Sequence, residues 1–384
     1  NMEVYTPANS LWDLQKKFGK IITLDAGENQ LGYSPKVAKA IRDADLFNFY
    51  PDPEYKELRK ALASYAGSRM ENIMVGAGSD QLIDLLLRLI LDQDDEVINC
   101  PPTFGMYSIL IELNKGIVVS VPRNDDFSLD INTILKRISE KTKAIFICSP
   151  NNPTGNTAKK NEIITLLKTG KLVLIDEAYY EFCNKSSISL LSKYENLIIL
   201  RTLSKWAGIA GLRLGYGIMD EFLVKQILKI KPLFNVSLIA EIAGIAALED
   251  IKTYKKIIQA ISFERNKMSE ELEKLSLHHL KRHFGNRVEI ADSFRYEYLY
   301  VSHFFHTPFY CYSYGFGMLL AFSLYNHYKK NPQFKGEILA IFSSGSNDGP
   351  KNILKKAGIT LDEAFWQSGF DYLKTLVEEL IKMK

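Results

Sequence analysis

Histidine is missing from the first 277 residues of this 384-residue chain; all six histidines lie at position 278 or beyond. Chemistry carried by that long stretch must therefore use a proton-transfer group of another kind. Cysteine is scarce as well. Cys100, Cys148, Cys183 and Cys311 show neither metal nor disulfide spacing, which leads us to expect a reducing, cytoplasmic setting. No run approaches the roughly 18 uncharged apolar residues of a membrane helix, so no membrane partner is expected. The N-terminus lacks the basic-then-apolar pattern of a signal peptide. A net charge of +3 is spread through the sequence rather than gathered on one face, which speaks against a nucleic-acid partner. We find no internal repeat and no low-complexity tract, and the length allows two domains.

From about Ile73 to Ile218 short apolar runs alternate with amphipathic stretches. Ile73-Met74-Val75 is followed by Ser79 to Leu91, where Leu82, Leu85, Leu86 and Leu89 recur at helical spacing. Further runs are Glu96 to Asn99, Ile117 to Val121, Ala144 to Cys148, Leu172 to Ile175 and Leu197 to Leu200. Each is short, rich in β-branched residues and nearly continuous, as strands buried on both faces are. Strands separated by helices predict an α/β fold, a mostly parallel sheet with helices on both faces. Glu221 to Leu275 reads as mainly helix with a break near Lys231-Pro232. Residues 283 to 328 then become crowded with aromatics, which places a boundary between residues 1–279 and a mainly helical region, 280–384.

Ligands in such sheets sit beyond the carboxyl ends of the strands, and the informative residues cluster there. Gly76-Ala77-Gly78-Ser79-Asp80 follows a strand and opens a helix, which suits either a phosphate or an ordinary glycine turn. Pro150-Asn151-Asn152-Pro153-Thr154-Gly155 fixes a rigid turn from which the Asn152 amide can reach a phenolic oxygen; it also reads as turn chemistry alone. Asp176, beside Tyr179, is a strand-end carboxylate able to keep a ring nitrogen protonated, or simply a solvated strand end. Lys205, in Thr202-Leu203-Ser204-Lys205, is either a loop cation or a Schiff-base nucleophile whose pKa is lowered by positive charge. Arg213, eight residues on, can supply that charge and clamp a phosphate.

Together, the order and spacing of these elements resemble the fold-type I pyridoxal-phosphate aminotransferases, most closely the histidinol-phosphate aminotransferase family, over about residues 10 to 275. The resemblance implies pyridoxal 5'-phosphate as cofactor and a homodimer. It implies an amino donor such as histidinol phosphate and 2-oxoglutarate as acceptor, as in histidine biosynthesis. It implies that Lys205 forms the Schiff base and that Asp176 and Tyr179 join it in catalysis. Gly78, Ser79, Asp80, Thr202, Ser204 and Arg213 surround the phosphate. Phe104 stacks on the pyridine ring, and Asn152 and Tyr179 bond its 3-oxygen. Tyr50 is similar to a tyrosine that reaches the neighbouring subunit's phosphate, and Asp25 to Gly32 to a substrate lid.

The tail departs from that pattern. The family's strand carrying a carboxylate-binding arginine is not found after residue 275, and Arg282, Arg287 and Arg295 are the tail arginines available to replace it. Phe294 to Tyr298 and Ser302 to Tyr314 instead resemble the C-terminal region of oligoendopeptidase F, a zinc metallopeptidase. There His303 and Tyr310 to Tyr314 match groups that stabilise a tetrahedral intermediate. The His-Glu-x-x-His zinc motif occurs nowhere in the chain, so no metal is expected. The sequence thus reads as an aminotransferase core joined to a peptidase fragment, a chimera in composition. Three functions follow: an active aminotransferase, a cofactor-binding protein with impaired turnover, or a binding protein related to metallopeptidases.

Overall fold

The computed structural model describes residues 10–285, 289–300, 310–344 and 349–382. The chain divides into two compact units, Asn1–Arg265 and Asn266–Lys384. The division falls inside the helix Ile251–Phe284, as does the compositional boundary at 279/280.

The first unit is built on a seven-stranded sheet: β1 Ile73–Gly76, β2 Glu96–Asn99, β3 Ile117–Ser120, β4 Thr142–Cys148, β5 Leu172–Asp176, β6 Leu197–Thr202 and β7 Gly215–Met219. The order is β1-β7-β6-β5-β4-β2-β3. The run from β3 through β2, β4 and β5 to β6 is parallel, whereas β7 is antiparallel to both β1 and β6. The expected α/β architecture is therefore present, with the mainly helical region after it.

The strands alternate sides as a pleat requires. Ile145, Ile147, Val173, Ile175 and Ile199 pack into one core, and Ala144, Phe146, Leu174, Ile198 and Leu200 into the other. Each such isoleucine or leucine, fully withdrawn from water, contributes roughly 1.5–3 kcal/mol. That explains why these runs read as unbroken apolar stretches. β7 was not among the expected strands, because Gly215 and Gly217 interrupt its apolar pattern. The connection from β6 to this reversed strand holds a 3-10 turn, Ala210–Leu212, and lacks the α-helix that a parallel crossover usually carries.

The register sets the carboxyl ends of the central strands side by side, with Cys148 opposite Asp176 and Asp176 opposite Leu200. Just behind them lies a buried ionic cluster. Arg201 donates to Glu177 Oε2 from Nε (3.1 Å) and Nη2 (2.9 Å), while Glu177 also accepts the Ser187 amide (2.7 Å) and the Ser186 hydroxyl (2.8 Å). Glu181, 6% exposed, accepts the Tyr65 hydroxyl at 3.1 Å. Burial pushes its carboxyl up to about 8, against the opposing pull of its own backbone amide, Arg201 and Tyr65. An acid whose pKa rises on folding holds its proton longer in the native state. Its contribution is thus present below the unfolded value near 4.5 and is lost as pH rises through 8. The unfolding temperature should fall between pH 5 and pH 9, and Glu181→Gln should flatten that slope. An unchanged slope in the variant removes Glu181 from the explanation.

In the second unit the helices Tyr310–Lys330 and Glu363–Lys382 pack together around Gly369, where a Cβ would approach the Leu319 side chain to 2.9 Å. Leu324, Phe334, Leu354, Ala357 and Ile359 form its core. Arg295 pairs with Asp292 and, at 3.5 Å, with Glu273. His303, His306, Arg287 and the side chains of Tyr310, Tyr312 and Tyr314 lie outside the described residues. Among the described residues no helix is long and apolar enough to cross a membrane, and no group of three or more His, Cys, Asp or Glu is placed to hold a metal ion.

Candidate active site

A cavity of about 460 Å³ opens at the carboxyl ends of β4, β5 and β6. Its floor carries Asn152 from the turn after β4, Asp176 at the end of β5 and Tyr179 just beyond it. Thr202, Ser204 and Lys205 arrive from the end of β6, and Ser79 and Asp80 from the start of the helix that follows β1. Phe104 and Arg213 complete the wall. Residues drawn from six separate segments thus face one space.

At the helix entry, Gly78 has φ +85°, a conformation other residues adopt only under strain. A Cβ there would collide with the Asp80 carboxylate and lie 2.5 Å from Arg213 Nη2. The Gly78 amide donates to the Gly76 carbonyl (2.8 Å) and the Ala77 amide to Gln81 Oε1 (2.8 Å). Ser79 and Asp80 are therefore the residues whose amides open the helix towards the cavity, and Gly78 supplies room. Arg213 faces the same entry and donates to both oxygens of Asp80 from Nη2 (2.9 and 2.8 Å).

Lys205 points its amine inward, where Nζ donates to the Ala26 carbonyl at 2.7 Å. Its pKa is lowered chiefly by burial; Glu28 opposes this and Arg213 adds to it. Positive charge, the cause expected from the sequence, is thus the smaller of the two lowering effects. Thr202 Oγ1 accepts the Ser204 amide (3.1 Å) and donates to the Leu214 carbonyl (3.2 Å), which fixes the turn that presents Lys205. The segment Asp25 to Gly32 closes over this turn. Ala26 holds the lysine amine, and Asn29 Nδ2 donates to the Trp206 carbonyl at 3.1 Å.

Asp176 is 4% exposed, and burial raises its carboxyl pKa against two donors. Oδ2 accepts the Tyr107 hydroxyl at 2.6 Å and Oδ1 the Ala178 amide at 3.0 Å. Tyr179 lies with its ring centroid 5.9 Å from the Lys205 amine. Tyr50 stands apart from the cavity, 79% exposed and stacked on Phe234 at 4.4 Å.

Sequence reading missed three supports. Tyr107, three residues beyond Phe104, is a full turn along and reaches Asp176. Its helical spacing was the available signal. Buried Arg123 donates to the carbonyls of Cys100, Phe127 and Cys148 and to Asn151 Oδ1 (3.0 Å). Asn151 in turn holds the Pro102 carbonyl (3.0 Å) and Thr103 (2.9 Å), so this pair locks the Phe104 turn to the Asn152 turn. Neither role is visible in a linear pattern, because each depends on carbonyls brought together by the sheet.

A second cavity, about 590 Å³, shares Lys205, Tyr179, Asn152 and Glu28 with the first and extends to Ile261 and Arg265.

Residues 19–286 match the family "aminotransferase class I and II". The histidinol-phosphate aminotransferase of Dehalococcoides mccartyi is 45% identical over 264 residues, 69% of this chain and 74% of that protein. The enzyme of the same name from Roseiflexus castenholzii is 39% identical over 281 residues, 71% of this chain and 76% of that one. Among solved structures, histidinol-phosphate aminotransferase from Sinorhizobium meliloti in complex with pyridoxal-5'-phosphate superposes with a TM-score of 0.64. It is 28% identical, over 70% of this chain and 76% of that one.

The donor set fits that cofactor. A buried carboxylate suits a ring nitrogen, a desolvated lysine amine suits an aldehyde, and a helix entry flanked by Ser79 and Arg213 suits a phosphate. The chain belongs to the class I and II aminotransferases, and its cofactor is pyridoxal phosphate.

Proposed function

We propose that the chain transfers the amino group of histidinol phosphate to 2-oxoglutarate, as a homodimer in the cytoplasm. The observation that carries this reading is the burial of the Lys205 amine between Asp176 and the phosphate-suited helix entry, in a chain 39–45% identical to enzymes named for that donor.

Bound there, pyridoxal phosphate supplies an electrophilic carbonyl carbon and a ring that withdraws electrons. Ser79, the amides of Ser79 and Asp80, Ser204 and Arg213 hold its phosphate, with Thr202 bracing the Ser204 turn. Gly78 leaves room for the Asp80 carboxylate and the Arg213 guanidinium at the helix entry. Phe104 covers one face of the ring. Asn152 and Tyr179 donate to the 3-oxygen, and Asp176 keeps a proton on the ring nitrogen. Lys205, its pKa lowered chiefly by burial, is the nucleophile that holds the cofactor. With the cofactor in place, the same amine would be the group positioned to move the donor's α-proton, so no histidine is required. Tyr50, exposed and outside its own cavity, reaches the phosphate of a second copy.

The missing carboxylate-binding arginine has a candidate replacement nearer than the tail. Arg265 lines the cavity that holds Lys205, and we assign it to the acidic group of donor or acceptor. A charge-assisted contact of this kind is worth about 1.5–3 kcal/mol when sheltered, and less at an exposed position. Arg265→Ala should raise KM for 2-oxoglutarate by about tenfold while kcat changes little. Unaltered KM for both substrates discards this assignment.

We further read residues 280–384 as a fragment resembling the C-terminal region of oligoendopeptidase F. It brings oxyanion-type donors without a group that activates water, so peptide cleavage sensitive to a zinc chelator is not expected.

A further inference from the structure

Both oxygens of Asp176 are engaged from the protein side. The Ala178 amide belongs to the same turn and would persist whatever the surrounding side chains. The Tyr107 hydroxyl comes from another element, the helix Met106–Leu113, across 69 residues of sequence, and its 2.6 Å distance is that of a well-formed O–H···O hydrogen bond.

Tyr107 is fully buried, and its ring is clamped edge-on between Phe104 (5.4 Å) and Phe146 (5.7 Å). The ring is therefore held in place with the Cys148 thiol also beside its hydroxyl, and removing that hydroxyl takes away the donor to Oδ2. Phe104 is the ring proposed to cover the cofactor. One buried tyrosine thus ties the stacking group to the carboxylate beneath the ring nitrogen.

We propose that Tyr107 is a positioning residue that holds the Asp176 carboxylate in its ring-facing rotamer and keeps the proton on the cofactor's nitrogen rather than on Asp176. Burial alone favours the neutral acid, and a donor to Oδ2 opposes it. The other titratable groups about Asp176 do not substitute for this. Glu177 and Asp80 push in the neutral direction, while Cys148 and Tyr179 are themselves held neutral by burial. The basic groups of the cavity are Lys205, whose pKa is lowered by burial, and Arg213, which is paired with Asp80. A hydrogen bond to a charged group is the effect left to set the balance, with a weight of roughly ten- to a hundredfold in the protonation equilibrium.

The inference rests on Asp176 being the ring-nitrogen partner, so the test includes a variant that fails separately. The full chain is loaded with pyridoxal phosphate carrying ¹⁵N in the ring, and the nitrogen chemical shift is followed against pH. In the unaltered protein the shift should be that of a protonated ring across the neutral range. Tyr107→Phe should move the neutral-range ¹⁵N shift towards that of the unprotonated ring, because the proton equilibrium between the ring nitrogen and Asp176 then moves about ten- to a hundredfold towards Asp176. It should lower kcat across the same pH range. Replacing Tyr107 with 3-fluorotyrosine, a more acidic donor of nearly the same shape, should restore the protonated-ring shift where phenylalanine does not. A Tyr107→Phe protein that binds cofactor and keeps the neutral-range ¹⁵N shift of the unaltered protein overturns the proposal. If Asp176→Asn leaves the shift untouched, the assignment of Asp176 falls first; if Asp176→Asn moves it and Tyr107→Phe does not, only the role of Tyr107 is lost.

Discussion

A Lys205→Ala chain should bind pyridoxal phosphate weakly and turn over no amino donor. The loss is complete because one amine has two duties. In the proposed function it is both the nucleophile that holds the cofactor and the group that moves the α-proton. No histidine lies within the first 277 residues to take over, and Tyr179, the nearest phenol, is held neutral by burial. The two duties can be separated. Adding a small primary amine to Lys205→Ala should return part of the proton-transfer rate without restoring covalent attachment. Borohydride reduction of the unaltered holoenzyme followed by peptide mapping should mark Lys205. A mark on any other lysine removes the assignment.

Asp176→Asn is expected to keep its cofactor and lose catalysis by roughly two to three orders of magnitude in kcat. An amide of the same shape preserves the contacts of the Ala178 amide, so the site should still fold. What disappears is the negative charge proposed to keep the ring nitrogen protonated, and removing one preorganised electrostatic partner of this kind is worth about 3–4 kcal/mol. The loss should appear in kcat and kcat/KM together, because the interaction strengthens as the α-carbon gives up its proton. Turnover near the original rate would show that Asp176 does not serve the ring.

Much of this site was legible in the sequence because its residues follow strand ends. A short apolar run announces a buried strand, and in a parallel sheet the next few residues fall at the ligand-binding edge. Asn152, Asp176 and Lys205 were read on that basis, and each lines the cavity. β7 escaped because two glycines dilute its pattern. Glycine is needed at Gly215, where a Cβ would collide with the Ser79 amide at the helix entry. A strand residue was given up for close approach to the site, and periodicity cannot report that.

Tyr107, Arg123 and Asn151 show a second limit. Their partners are carbonyls, or a carboxylate, far away in sequence, and only the folded register reveals that a buried arginine has four acceptors instead of a carboxylate. Arg265 shows a third. The search for a replacement arginine began at the change of composition, whereas the cavity ends on a helix that begins well before it. Composition follows the chain's sections, but a cavity is bounded by whichever helix turns are near.

The most direct measurement is a pair of half-reactions on the holoenzyme followed by absorbance. Histidinol phosphate alone should convert the bound cofactor from its aldehyde-derived band to the amine form in one turnover per site. Subsequent 2-oxoglutarate should restore the original spectrum and release one equivalent of glutamate. A holoenzyme whose spectrum is unmoved by saturating histidinol phosphate, while Lys205 is shown by borohydride labelling to carry the cofactor, would contradict the proposed function.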